Sequence, residues 1–479
     1  MSKEIEQVID RGSFRPLNDA PRTSNPLGYP DYERSLERAR ETTGSDESVA
    51  VGEATIDGVQ VVAASFDFGF LGGSMGAVAG ERIAAGMDLA ASTLCPFVLR
   101  TATGGARMQE GMASLVQMPK TVAARLALAR AHQPFVAVLG HPTTGGVLAS
   151  HAALADFVVA EQAATIGFAG PRIVERVTGE PPGPDSHNAA SALGAGLVDA
   201  VCPPEEVAEL VARFLKALAT PTPEESQAPE FVEPHDTDAW EFVTTARDQR
   251  RPTGPDLARG LGTGVELRGD RAGVDDRSVY AGVVRIAGRP AVAIATDRSS
   301  AIGPAAYRKA CRAVDIATRL ELPVVTVVDT PGADPGEASE KGGIAWAIAR
   351  LFETLLQAPV PVLSVVTGEG GSGGALAFAA GDLLVAYDDT VFSVIGVELA
   401  AEILWRDASR GADAARLLKV SASDLRRLGI ADVLVAGPPD ESSIRSVVAY
   451  HLDQLADEEA TGERRALQRQ QKWRTLAQG

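Results

Sequence analysis

The strongest constraint on this chain is an internal repeat. The run 95–108, CPFVLRTATGGARM, reads as a strand ending in a glycine turn. Helical sequence follows, then a strand, PFVAVLG (134–140), and a second turn, HPTTGG (141–146). The same order recurs as LPVVTVVDTPGA (322–333) and PVPVLSVVTGEGGSGG (359–374). Gly104 and Gly145 are 41 residues apart, as are Gly332 and Gly373 (145 − 104 and 373 − 332). A third match sets LGAGLVDAV (193–201) against RLGIADVLV (427–435), with Gly196 and Asp199 opposite Gly429 and Asp432. Three correspondences in one order argue for duplication.

Short apolar runs alternate with Ala-rich helical stretches from Val49 to about Val435, which predicts an α/β fold with largely parallel strands. The alternation pauses at 219–238, ATPTPEESQAPEFVEPHDTD, a Pro/Glu/Thr-rich stretch that reads as a linker. The expected organisation is a domain over 1–218, a linker over 219–238 and a domain over 239–479. Residues 31–42, the cluster Arg464, Arg465 and Arg469, and the charged last 40 residues read as surface or interface helix. Aromatics are only 5%, so the core must be built from Ala, Val, Leu and Ile.

Composition excludes several classes. Forty-five basic against 63 acidic residues give a net charge of −18, a poor match for nucleic acid or an anionic membrane. Cys95, Cys202 and Cys311 are scattered, with neither a disulfide framework nor a CxxC pair. The six histidines show no metal spacing, and no metal site is expected. His141 and His151 flank a glycine turn and read as surface or capping residues. A charged N-terminus and the lack of a long uninterrupted apolar run set the expectation of a cytoplasmic protein without an anchor.

A glycine pair at a strand end leaves backbone N–H groups free, and one at a helix start adds the positive end of the helix dipole. Two such turns on adjacent strands can present convergent donors to an oxyanion. Taken alone, they can equally be tight connections without a ligand. Other patterns overlap them. Gly368–Gly373 fits the dinucleotide GxGxxG, with Asp388 and Asp389 downstream, but the helix after it is short and the motif lies in mid-domain. Gly370–Gly374 and Gly72–Gly76 fit the nucleophile elbow GxSxG, with His451 the one candidate base beyond Ser372. Asp329-Thr-Pro-Gly332 is switch-like, but no P-loop occurs. No pair of carboxylates has a defensible acid/base spacing.

Residues 13–201 resemble the β subunit of bacterial acetyl-CoA carboxylase carboxyltransferase, through GSF (12–14), NPLGY (25–29), FDFGFLGGSMGAVAGERI (66–83), GGARMQEGMASLVQMPK (104–120), HPTTGGVLASHAALADFVVAE (141–161) and IGFAGPR (166–172). Residues 240–435 resemble the α subunit, through ELRGDR (266–271), YRKA (307–310), VDTPGADPG (328–336), GEGGSGGALA (368–377) and EILWR (402–406). The resemblance implies β and α fused in that order, as two tandem crotonase-like (ββα superhelix) domains. It implies transfer of a carboxyl group from carboxybiotin, borne by a biotin carboxyl carrier protein, to the α-carbon of an acyl-CoA. The coenzyme A thioester would lie on the first domain and biotin on the second. Malonyl-CoA and fatty acid biosynthesis are the expected setting.

By the same resemblance, Gly104, Gly105, Gly145 and Gly146 hold the thioester oxygen, while Gly332, Ala333, Gly373, Gly374 and Ala375 hold the biotin oxygen. Arg107, Gly170 and Arg172 are the expected substrate-binding residues, with Arg107 either on a phosphate or capping its loop. The freed biotin nitrogen takes the substrate proton, which accounts for the missing side-chain base. Biotin carboxylase and the carrier are expected on other chains, and the assembly as a homodimer or a trimer of dimers whose sites join domains of different protomers.

The chain departs from the family's pattern at several places. It has no four-cysteine zinc ribbon. The stretch before YRKA is short, SVIGVEL (393–399) lacks the usual Pro but keeps Glu398, and Lys341-Gly-Gly replaces basic-Gly-Gln. The last three changes fall in the biotin half. They keep two rivals open: a biotin-independent thioester decarboxylase, or an inactive scaffold.

Overall fold

In the computed structural model, residues 5–17, 22–457 and 462–476 are described. The remaining residues of the two expected domains and of the charged C-terminal stretch lie outside them. The chain divides into two compact units: residues up to Lys216 with Arg271–Gly273, and the rest. The short return to the first unit is held by Arg271, which donates to the Gly196 carbonyl at 2.9 Å and pairs with Asp199.

The first unit contains β1 (Arg15–Pro16), β2 (Val49–Ile56), β3 (Val59–Phe66), β4 (Phe97–Thr103), β5 (Phe135–Thr144), β6 (Phe157–Glu161), β7 (Ile166–Gly167) and β8 (Ala200–Cys202). Its sheet runs β1-β2-β3-β4-β5-β6-β8, with β7 added to β5. The second unit contains β9 (Thr263–Glu266), β10 (Val279–Ile286), β11 (Arg289–Thr296), β12 (Val324–Thr330), β13 (Val362–Gly371), β14 (Leu383–Tyr387), β15 (Val391–Ser393) and β16 (Val433–Val435). Its sheet runs β9-β10-β11-β12-β13-β14-β16, with β15 added to β13. Each unit starts from an antiparallel hairpin, β2–β3 or β10–β11, and continues in parallel strands. Both hairpins turn through two residues of positive φ, Asp57-Gly58 and Ala287-Gly288, the geometry that matches strand twist.

The repeat extends to individual hydrogen bonds. Asp156 and Asp382 each accept from the first N–H of the neighbouring strand, Phe135 at 3.0 Å and Val362 at 2.8 Å. Asp199 and Asp432 accept from the second N–H of β6 and β14, those of Val158 and Leu384. Gly196 and Gly429 both have positive φ, at 64° and 72°, closing equivalent helix ends. The core is Ala, Val, Leu and Ile with few rings, as the composition requires.

Residues 219–238 are not a free linker. Thr222 N–H donates to Gly288 O at 3.0 Å, and Val232 N–H to Leu434 O at 3.1 Å, and side chains add to this main-chain pairing, Arg285 donating to Ala219 O (2.8 Å) and Thr220 O (2.9 Å). The C-terminal helix Gly462–Thr475 also corrects expectation. Arg465 and Arg469 are buried, and Arg469 donates to Ala358 O (2.8 Å), Val360 O (2.7 Å) and Asp382. Its guanidinium satisfies carbonyls of the turn that follows the helix Ile344–Gln357. No helix among the described residues is long and apolar enough to cross a membrane.

Candidate active site

In each unit, two neighbouring parallel strands end in turns that pack against one another. In the first unit Gly105 has φ +108° and Gly145 +68°, and a Cβ on Gly145 would lie 2.8 Å from the Gly105 Cα. Only glycine permits that approach at that backbone angle. Most amides here are already committed. Gly104 N–H donates to Gly72 O (3.0 Å), Gly105 N–H to Thr103 Oγ1 (3.0 Å) and Gly145 N–H to Phe168 O (2.8 Å). The amides of Ala106 and Gly146 have no acceptor among the described residues. Gly146 N is 3.4 Å from where a Cβ on Gly105 would sit.

The second unit repeats this. Gly332 (φ +113°) donates to Thr330 Oγ1 at 3.1 Å, as Gly105 does to Thr103. Ala333 forms a parallel bridge with Ile302, as Ala106 does with Met75. The Ala333 amide has no acceptor among the described residues. Opposite it starts the helix Ser372–Ala379, whose first N–H groups lack an intrahelical partner and a side-chain cap. A Cβ on Gly373 would meet open space, whereas one on Gly374 would lie 2.6 Å from Ala333 N.

These matches move the repeat by one residue. Thr103 pairs with Thr143 and Thr330 with Gly370, so Gly105 answers Gly332, Ala106 answers Ala333, and Gly146 answers Gly373. The 41-residue spacing survives; the register inferred from it does not. Gly104, Gly105, Gly145 and Gly332 shape the turns, and their N–H groups are spent. Sequence reasoning missed Ala106. The signal was present, since Ala333 had been singled out and Ala106 is its equivalent. Gly145 is answered by Ser372, at φ +60° a strained position for a residue with a Cβ.

Arg107 is neither a ligand for phosphate nor a simple cap. It is fully buried, paired with Glu47 and Glu110, and bonded to Ser48 and Ser74. Burial alone would raise the Glu47 pKa, but the Arg107 hydrogen bond and charge carry it below the usual range. The equivalent of Arg107, Asp334, donates its N–H to Ile302 O (3.0 Å), but its side chain, among the described residues, accepts only from nearby Gly336 N–H (3.0 Å) and Ser339, which lower its pKa. Gly170 precedes the helix Pro171–Thr178 in extended backbone with open space around it, and Arg172 is exposed. Both follow closely after Phe168, whose carbonyl tethers Gly145.

Behind the first unit's turn lies a pocket of about 550 Å³, lined by Leu139, Leu148, Ala149, Ile166, Phe168 and Leu197 among others. The rival motifs lose their basis. Gly368 and Gly370 lie inside β13, not in a turn. Ser74 Oγ is tied to Leu71 O at 2.8 Å. His451 is buried beside Tyr450, bonded to Gln454, and burial lowers its pKa. His151 is also buried, not surface: it bonds Thr121 Oγ1 at 2.9 Å, and burial pushes its pKa down to about 3. His141 is exposed and accepts from Thr165 N–H. Glu398 forms a bridge to Arg247, which also holds Glu369, each at 2.7 Å. Burial raises the Glu398 pKa, but this bond leaves it below normal, so it is a poor proton acceptor.

Each of the two units thus carries a facing pair of amides without an acceptor among the described residues. Residues 232–477 match the family described as acetyl co-enzyme A carboxylase carboxyltransferase-like. The acetyl-coenzyme A carboxylase carboxyl transferase subunits beta/alpha of Salinispora tropica is 40% identical over 490 residues, spanning 95% of this chain and 86% of that one. A probable biotin-dependent acyl-coenzyme A carboxylase beta3 subunit of Mycobacterium tuberculosis is 35% identical, over 90% and 88%. The solved transcarboxylase 12S superimposes with a TM-score of 0.77 at 25% identity, over 96% of this chain and 90% of that one. The chain belongs to the acetyl-CoA carboxylase carboxyltransferase family.

Proposed function

We propose that the two amide pairs are the two oxyanion holes of a carboxyltransferase component of a biotin-dependent acyl-CoA carboxylase. The observation that carries this is the recurrence of partnerless amides at equivalent positions, Ala106/Gly146 and Ala333/Gly373. The first pair, facing the apolar pocket's turn, takes the thioester oxygen as the α-carbon becomes nucleophilic. The second takes the ureido oxygen of biotin; open space at Gly373 and the tight fit at Gly374 suit a planar anion against the helix start. Gly374 and Ala375 set that helix start against Ala333. Carboxybiotin supplies the carboxyl group and, once that has left, a nitrogen able to accept a proton. The chain supplies donors fixed before reaction, each typically worth about 3–4 kcal/mol in the transition state.

The pocket beside Leu148 and Phe168 is assigned to the acyl-pantetheine arm, Gly170 and Arg172 to its entrance. A carrier protein and a biotin carboxylase on other chains complete the system, with a homodimer or trimer of dimers as the assembly. The intact second pair weighs against a biotin-independent decarboxylase. The test is the reverse reaction: purified protein with malonyl-CoA, methylmalonyl-CoA or longer carboxyacyl-CoAs, with and without free biotin. Decarboxylation only with biotin is expected. Equal turnover without it would overturn the reading in favour of the decarboxylase.

A further inference from the structure

Ala106 lacks a side chain that could hold its amide in place, so its neighbours must do it. On one side Met75 N–H donates to Gly105 O (2.8 Å), and Arg107 N–H donates to Met75 O (3.0 Å). This brackets Ala106 in a single-residue bridge whose stability depends on where Met75 sits. The Arg107 side chain fixes that position. Its Nη2 donates to Ser74 O at 2.7 Å and its Nε to Ser74 Oγ at 3.1 Å. The same guanidinium reaches Glu47, Ser48 Oγ (3.1 Å), Glu110 (3.2 Å) and Tyr32 OH (3.3 Å). Glu110 in turn accepts from Tyr32 OH (2.6 Å) and from Ala77 N–H (2.6 Å) at the start of the helix Ala77–Thr93. Gly76 leaves room for this cluster: a Cβ there would lie 2.8 Å from Arg107 Nη1.

We infer that Arg107, clamped by Glu47 and Glu110, is a positioning residue that fixes the Ala106 amide at the thioester-side hole. It touches no substrate; it locks residues 74–76 and 105–107 against each other. Lysine cannot replace it, because a single ammonium cannot span Ser74, Glu47 and Glu110. The catalytic part of this inference rests on the proposed function; the positioning part does not.

The experiment uses the full chain carrying Arg107→Lys, with Glu110→Gln as the milder variant should the first fail to fold. Amide hydrogen exchange of the peptide covering residues 103–108 is read beside biotin-dependent malonyl-CoA decarboxylation. Exchange there is expected to quicken by about 10-fold or more. kcat is expected to fall at least about 10-fold, with KM for the thioester within about 3-fold. In an Ala106→Pro background, which lacks the donor, Arg107→Lys should add less than about 3-fold. Unchanged exchange overturns the inference. So does a rise in KM at constant kcat, which would mean direct contact with the substrate. Should the parent protein show no turnover, the proposed function fails, and exchange alone decides whether Arg107 positions the loop.

Discussion

The two turns that present Ala106 and Ala333 have one backbone design and two kinds of support. In the first unit the residue after the donor is Arg107, buried and bonded to segments from Tyr32, Glu47, Ser74 and Glu110. In the second it is Asp334, whose N–H keeps the equivalent bond to Ile302 O (3.0 Å) but whose side chain, among the described residues, bonds only Gly336 and Ser339 a few residues on. A fold can therefore be duplicated while the side-chain support of its turns is not. The first loop is specified by long-range charge pairing. The second is specified by a local turn and by the helix start at Gly373–Ala375, with Tyr307 OH donating to Gly374 O at 3.1 Å.

The largest expected effect would show whether the two holes are distinct. Gly374→Val drives a side chain onto Ala333 N, and Gly146→Val fills the space beside Met118 Sδ, 3.0 Å from the new Cβ. Each should lower biotin-dependent turnover by about 100-fold or more. Gly146→Val should additionally weaken binding of the thioester, read by calorimetry, and Gly374→Val should not. Identical losses of thioester binding in both would erase the distinction.

Next comes the contrast in support. Glu47→Ala leaves the buried Arg107 short of its main partner and should destabilise the protein by about 3–5 kcal/mol. Asp334→Ala should shift the unfolding midpoint far less. All four tryptophans (240, 346, 405 and 473) lie in the second unit, so tryptophan fluorescence follows that unit and far-ultraviolet circular dichroism follows both. Glu47→Ala should thus move the circular-dichroism transition more than the fluorescence transition.

A smaller effect concerns pH. His151 is held neutral, its pKa lowered by burial to about 3 from an unfolded value near 6.5. The unfolded chain then binds the extra proton, so stability falls as pH drops below about 6.5 and levels off only near 3. By pH 5 the loss is about 2 kcal/mol. His151→Asn should flatten that slope in denaturant titrations; an unchanged slope would place the pH sensitivity elsewhere. His451, with a Gln454 partner that opposes the shift, should contribute less. Smallest of all, Lys341→Ala removes only an exposed pair with Glu337 and should leave the unfolding midpoint unmoved.

The alternation of strands and helices, the duplication and the strand-end placement of both glycine turns were legible because hydrophobic period and glycine spacing are local properties of the chain. The acidic balance and the ring-poor core were equally readable. Legibility failed by one residue at the turns. Which amide is free depends on side-chain and cross-strand acceptors: Thr103 and Thr330 hydroxyls, the Gly72 and Phe168 carbonyls. The two carbonyls come from other loops and no spacing rule announces them, while the hydroxyls lie two residues before the amides they hold. Arg107 was likewise ambiguous, because a guanidinium beside a glycine turn reads as an anion binder until its carboxylate partners, 60 residues back and three ahead, are brought to it. The buried histidines and the C-terminal arginines were misplaced for the same reason. By itself, then, the sequence determined the repeated architecture, which follows from residue type and period, and through the resemblance of its motifs the kind of chemistry. Only the tertiary structure decided which N–H groups remain unpaired, because hydrogen-bond satisfaction is settled between segments distant in the chain.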